Sequence, residues 1–318
     1  MRVFLDNCIK HVSVQRMLPH WKSKGVSHST TPKECDVQLS LVKVSNWSGL
    51  PLALRLDGIY YDLNDDYTSR NARISEAHSK ADAVIYQSLF CMGMCEAFLA
   101  PKRRSAKEHI IYNGADPHWC GTGEINDKCS VVCSARWRRH KRLEETIDVF
   151  THFNQWHKSR YDEDAVLHVF GDTVNNVLPN KNNIVFHGHV DYEYMRPYYR
   201  SADMCLHLSK RDCCPNAVVE AITAGVPTIT TAACGGAAEL CAMTPWCHVS
   251  QYEEYPVHFD PCAYYVDDYN VMRFETVLDL VDVMKSAVLF PIKPITIPLA
   301  VRSDYMAQKY TEVFEELL

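Results

Sequence analysis

The segment Ser209–Gly225, SKRDCCPNAVVEAITAG, gathers side chains suited to holding a charged ligand. A strand-like run ends there, a loop carries Asp212, Cys213 and Cys214, and Pro215 opens a helix with Glu220 in its first two turns. In an open parallel sheet, ligands sit beyond the carboxyl ends of the strands, where helix N-termini offer N–H groups to anions. Backbone amides near Cys214–Asn216 are thus expected to bind an anion between two carboxylates. The competing reading makes Asp212 a helix cap and leaves Glu220 on the surface.

A second cluster is Arg136–Arg142, RWRRHKR, with five formal positive charges in seven residues after another strand-like run. Guanidinium and ammonium groups at a strand-to-helix junction suit a diphosphate, Arg as a bidentate fork and Lys as a point charge. A solvated basic face, or a nucleic-acid patch with Trp137 for stacking, would use the same residues. The run is short and isolated, and the net charge is −6, so nucleic acid is not expected as a partner. Gly235-Gly236, Gly171-Asp172 and Gly188-His189-Val190 each follow a strand-like run, where glycine lets backbone approach a ligand. His187 and His189 lack a third ligand, and Asp162-Glu163-Asp164 precedes a strand, so no metal site is expected.

Positioning these residues takes alternating strands and helices, and the chain alternates throughout. Arg2–Asp6, Val37–Val42, Pro51–Asp57, Asp82–Gln87 and His109–Tyr112 read as strands of a first series. Val12–Lys24, Thr68–Lys80 and Leu89–Leu99 read as its helices. Breakers at Asn113–Pro117 mark a boundary. A second series has strands at Ser130–Ala135, Val166–Phe170, Ile184–Phe186, Met204–Leu208 and Val226–Thr231. One of its helices carries Leu143, Ile147, Phe150 and Phe153 on one face. This predicts two doubly wound α/β domains. Length, at 318 residues with 47% apolar and 23% charged, suits two such cores and excludes a disordered or coiled-coil chain. Fourteen cysteines without a secretion signal are expected as free thiols in a cytoplasmic protein. Lys10–Lys24 is amphipathic. A helix covering the first sheet is the ordinary reading, and peripheral contact with a membrane surface is the alternative.

In order, these motifs resemble the nucleotide-sugar domain of retaining glycosyltransferases of family 4. The matches are Tyr112–Asp116, Arg136 with Lys141, Gly171-Asp172, Gly188, Ala202-Asp203, Asp212 with Glu220-Ala221, Ala224–Pro227, and Gly235-Gly236 with Glu239. The resemblance implies a GT-B fold, two Rossmann-like domains facing a central cleft. It places an acceptor-side domain at 1–117, completed by a returning helix at 304–318, and a nucleotide-sugar domain at 118–299. The implied activity moves a sugar from a nucleoside-diphosphate donor, such as a UDP- or GDP-sugar, to an acceptor hydroxyl on a glycan, lipid or protein-linked sugar. Anomeric configuration would be retained without a bound metal.

By the same resemblance, Arg136 and Lys141 bind the diphosphate and stabilise the leaving nucleotide, and Glu220 holds the ribose. Asp212 contacts the donor sugar, with Cys213, Cys214, Pro215 and Asn216 beside it. Gly171, Asp172, Gly188, His189 and Val190 lie near the base. Three positions depart from the pattern. Asp212 stands where the family has a glutamate, Arg142 follows the lysine where the family has glycine, and the first domain lacks the usual Gly-Gly loop. Asp57 stands where many members carry a histidine, and either holds a sugar hydroxyl or the acceptor, or is a strand-end turn residue. Two other readings share the fold: a sugar-nucleotide epimerase, and a non-catalytic nucleotide-sugar-binding protein.

Overall fold

A computed structural model of the chain describes residues 1–61, 65–123, 128–173, 181–252, 272–292 and 296–318. It opens with β1 (Arg2–Asp6), α1 (Val12–Ser23), β2 (Ser27–Ser29), β3 (Val37–Leu41) and β4 (Leu52–Leu56). Next come α2 (Tyr67–Lys80), β5 (Ala83–Tyr86), α3 (Leu89–Phe98) and β6 (Lys107–Ile110). A second run has β7 (Ser130–Ser134), α4 (Leu143–Tyr161), β8 (Val166–Phe170), β9 (Ile184–Gly188) and α5 (Tyr192–Ser201). It continues with β10 (Met204–Leu206), α6 (Asn216–Thr223), β11 (Thr228–Thr231), α7 (Gly236–Ala242), β12 (His248–Ser250) and α8 (Phe274–Leu289). The helix α9 (Ser303–Leu317) ends the chain.

Contacts divide the chain into two units. One holds Met1–Asp116 with Leu299–Leu318; the other runs from Pro117 and ends at Pro298. In the first unit six parallel strands lie in the order β2-β1-β3-β4-β5-β6. Strands of this kind are buried on both faces, as β4 and β5 are throughout, because helices cover both sides. On one side α9 lies along α1. Trp21 donates its indole N–H to the Ala307 carbonyl at 3.1 Å and meets the Phe314 ring edge-on at 5.6 Å. Val14, Met17 and Trp21 are fully buried in that contact, so α1 covers the sheet and has spent the apolar face that a membrane surface would require. Among the described residues no helix is long and apolar enough to cross a membrane.

Two differences from the sequence reading have physical causes. The strand β2, Ser-His-Ser, is three exposed-to-intermediate residues at the sheet edge, with no hydrophobic pattern to reveal it. Residues 42–51 join β3 to β4 without a crossover helix. Polar side chains hold that connection: the Asp6 carboxylate accepts from the amides of Ser45 (2.7 Å) and Asn46 (3.1 Å) and from the Ser40 hydroxyl (2.9 Å).

In the second unit six parallel strands lie in the order β12-β11-β10-β7-β8-β9. The chain starts in the middle, winds outward through β8 and β9, then returns to β10 on the other side of β7. That is the doubly wound Rossmann order, and its reversal opens a crevice at the carboxyl ends of β7 and β10. Leu143, Phe150 and Phe153 of α4 and Val277, Leu280 and Met284 of α8 pack with the β7 and β8 side chains in the core of this unit. The two clusters singled out in the sequence follow β7 and β10, and so meet at the crevice.

Candidate functional site

Beyond β7 the chain is pinned to the end of β8. Trp137 donates its indole N–H to the Phe170 carbonyl at 2.9 Å and its amide to the Asp172 carbonyl at 3.1 Å. The ring is buried, so it anchors the loop and offers no stacking platform to a nucleic acid. Arg136, exposed beside it, lines a cavity. A tight turn at Arg139–Lys141 follows, and Arg142 takes the left-handed conformation, φ 57°, before α4 begins. Glycine is at ease in that region, whereas other residues cost about 1 kcal/mol there. This backbone accounts for the family's glycine at the position, and here a buried arginine occupies it.

Beyond β10 the loop crosses to the same place. Lys210 donates its amide to the His140 carbonyl at 2.8 Å, and Arg211 is left-handed at φ 57°. Asp212 then pairs with the Gly235 turn: its amide donates to Cys234 at 3.1 Å, and its carbonyl accepts from Gly236 at 2.8 Å. The paired glycines thus hold the Asp212 backbone. The Asp212 carboxylate forms an ion pair with the Lys141 ammonium, and the His207 Nε2 lies 3.8 Å away. Burial opposes ionisation of Asp212, but Lys141 and His207 outweigh it and hold the carboxyl well below the usual carboxylate range. Burial lowers His207 despite the neighbouring carboxylate. Asp212 is no helix cap, since Pro215 is the N-cap of α6 and that helix has no side-chain cap.

The cavity encloses about 600 Å³ in the second unit. Arg136, Gly171, Asp172, His189 and Val190 line it, together with Asn216 and Glu220 of α6. Glu220 is 2% exposed, so the alternative of a surface carboxylate is overturned: the side chain forms part of the cavity wall. The first turn of α6 faces the space, adding the partial positive charge of a helix N-terminus to the Arg136 guanidinium. Gly188, Lys141, Asp212, Cys213, Cys214 and Pro215 are outside the lining, and the two thiols are buried. Asp191, Tyr192 and Met195 line it as well and were not anticipated. Tyr192 and Met195 belong to α5 and Asp191 is its N-cap; in the sequence Pro197 inside that helix reads as a breaker. The available signal was Asp191, which caps α5 by accepting from the Tyr194 amide at 2.8 Å.

Gly171 is required by close approach. Its φ is +103°, and a Cβ there would sit 1.9 Å from the Ala135 carbonyl oxygen. Next to it, Phe170 stacks on His187 with centroids 4.3 Å apart, and His187 Nε2 lies 3.0 Å from His168 Nδ1. Burial, then the neighbouring His187, lowers His168 to about 4. The folded protein therefore refuses a proton that the unfolded chain accepts below its ordinary value of ~6.5. Stability should be unaffected above that pH and fall by on the order of 3 kcal/mol as pH drops to about 4. Denaturation midpoints of wild type and His168→Gln, compared at pH 7 and pH 4, should show the smaller decline in the variant.

Asp57 lies in the first unit, at the carboxyl end of β4. The buried Arg55 guanidinium reaches its Oδ1 at 2.8 Å, Gln87 donates to the same oxygen at 2.5 Å, and His11 Nε2 stands 3.9 Å from Oδ2. A fixed, part-exposed carboxylate among three nitrogen-bearing side chains is a built feature, beyond what a turn residue needs. Among the described residues no group of three or more His, Cys, Asp or Glu could hold a metal ion. Asp164 instead pairs with Lys158 at 2.8 Å and accepts from Asn154 at 2.9 Å.

Residues 128–249 match the family model described as Glycosyl transferases group 1. No curated protein matches the chain in sequence. Among solved structures, WaaG, a glycosyltransferase involved in lipopolysaccharide biosynthesis, superposes with a TM-score of 0.60 at 13% identity, over 98% of this chain and 95% of that one. AviGT4, a glycosyltransferase involved in avilamycin A biosynthesis, gives 0.57 at 14% identity over 100% and 98%. Sucrose-phosphate synthase from Thermosynechococcus elongatus gives 0.60 at 13% over 89% and 74%. Likeness at such identities is of fold, and the fold is GT-B. The family match lies wholly on the second unit.

Proposed function

We propose that the protein transfers a sugar from a nucleoside-diphosphate sugar, such as a UDP- or GDP-sugar, to an acceptor hydroxyl with retention of anomeric configuration. The observation that carries this reading is the crevice of the second unit. There Arg136 and the α6 N-terminus supply positive charge, Glu220 supplies a buried carboxylate for ribose hydroxyls, and Lys141 stands in an ion pair beside the reversal point. In this account the diphosphate takes a share of the Lys141 ammonium from Asp212. Asp212 in turn holds that ammonium in place, and its one-methylene-shorter reach is taken up by the lysine. The positive charge that a metal ion would bring to the leaving diphosphate comes from Arg136, Lys141 and the helix end, so transfer proceeds without a bound metal. Asp57, steered by Arg55 and Gln87, positions a sugar or acceptor hydroxyl from the first unit. The acceptor is a glycan or a lipid- or protein-linked sugar. The free thiols among the described cysteines suit a cytoplasmic protein.

Product anomers test this reading. With an α-linked donor and an accepted glycan, the proton NMR coupling of the new anomeric centre should be that of an α-glycoside. A β-product would refute retention. Conversion of the donor sugar with no acceptor present would favour an epimerase, and nucleotide binding without transfer to any acceptor would favour a binding protein.

A further inference from the structure

The connection between β3 and β4 presents an exposed indole on an immobilised backbone. Besides the Asp6 contacts described above, the buried Gln38 side chain donates to the Asn46 carbonyl at 2.8 Å and accepts from the Ser48 hydroxyl at 2.5 Å and its amide at 3.3 Å. Residues on both sides of Trp47 are thus fixed, yet Trp47 itself is 46% exposed. An indole costs solvation free energy when left in water, and the bonds around this one hold it there instead of turning it inward.

Trp47 borders a cleft of about 560 Å³ with Gln38, Asp82, Arg103 and Lys107. Leu52, Asp82 and Lys107 stand at or just before the starts of β4, β5 and β6, so the cleft lies at the amino edge of this sheet. Asp57 stands at the opposite edge, a five-residue strand or ~16 Å away. Each cation near the cleft has a carboxylate of its own. Arg103 reaches Asp82 at 2.8 Å, Lys107 reaches Glu316 at 3.5 Å, and Lys80 bonds Glu76 at 2.8 Å while sitting 4.8 Å from the Trp47 ring centre. The field is therefore near neutral, with donors and acceptors displayed side by side around an apolar ring. A free anion finds its cations already neutralised, and an apolar ligand would leave the charged pairs without water. A pyranose satisfies both halves: its C–H face covers indole, and adjacent hydroxyls donate to a carboxylate and accept from its cation. Exposed ion pairs contribute little to stability, so sharing them with hydroxyls costs little.

We infer that this cleft binds a neutral oligosaccharide, at a site separate from the crevice of the second unit. The inference stands on the first unit alone and does not depend on sugar transfer. Calorimetric titration of the full chain with maltohexaose, cellohexaose, chitohexaose and α-mannohexaose tests it. At least one should bind, roughly tenfold weaker to Trp47→Ala and to Arg103→Ala, and unchanged to Arg136→Ala. Both Trp47 and Arg103 are well exposed, so either variant reads the site if the other fails to fold. Absence of binding by all four, equal binding by wild type and both variants, or a Trp47-dependent heat with inorganic phosphate in place of the sugars would overturn it.

Discussion

Replacing Lys141 with alanine should weaken nucleotide-sugar binding and turnover by roughly 10–150-fold, the loss of one charge-assisted hydrogen bond of ~1.5–3 kcal/mol. The same change leaves Asp212 as a largely buried carboxylate without its ammonium, and stability should fall by on the order of 3 kcal/mol. The two effects separate in the double variant Lys141→Ala/Asp212→Ala. Removing both charges should recover most of the stability while turnover stays low, because the diphosphate still lacks its cation. If the double variant recovers turnover together with stability, Lys141 serves the fold and has no part in donor binding.

Asp212→Asn should be the second large effect, and its pH dependence identifies the cause. The folded carboxyl titrates well below its ordinary value because Lys141 and His207 outweigh the burial that opposes ionisation. Its contribution is thus fully present above the unfolded value of ~4 and is lost as pH falls through the depressed folded value. At pH 7 the asparagine variant should be about 3 kcal/mol less stable than wild type by chemical denaturation, and the gap should narrow below pH 4. Nucleoside-diphosphate binding should be at least as tight as in wild type, since the lysine no longer shares its charge. Weaker binding would show that Asp212 touches the donor directly instead of holding Lys141.

The periodicities that mattered for the fold were written in apolar side chains. β4 reads LALRL and β5 AVIY, and both are buried along their whole length, so alternation with amphipathic helices exposed two parallel sheets without any structure. Part of what escaped was held by polar contacts. The strand β2 pairs through backbone alone, and α5 is started by an Asp191 cap and carries a proline inside it. The connection after β3 needs no helix because Asp6 and Gln38 supply its hydrogen bonds. At the site, Arg136 and Glu220 could be placed from sequence because strand order fixes where their loops must go. The Lys141–Asp212 pair could not, since it depends on two left-handed residues, Arg142 and Arg211, and on the Gly235 turn docking against the loop. Arg142 shows the limit well. Sequence marks it as a departure from glycine, and only the backbone torsion shows that the conformation persists with a larger residue in it.

In the proposed function, the crevice beside β7 and β10 binds a nucleoside diphosphate through Arg136 and its neighbours. Thermal denaturation of wild type and Arg136→Ala in UDP, GDP and ADP, each to saturation, checks this, because Arg136 is exposed and its loss should leave the fold intact. A ligand bound only by the folded state adds ~2.7 kcal/mol of stability at a hundred times its dissociation constant. One of the three nucleotides should therefore raise the wild-type midpoint saturably, with a clearly smaller rise in the variant. No rise with any of them, or the same rise in both proteins, would refute nucleotide binding through Arg136 at this crevice.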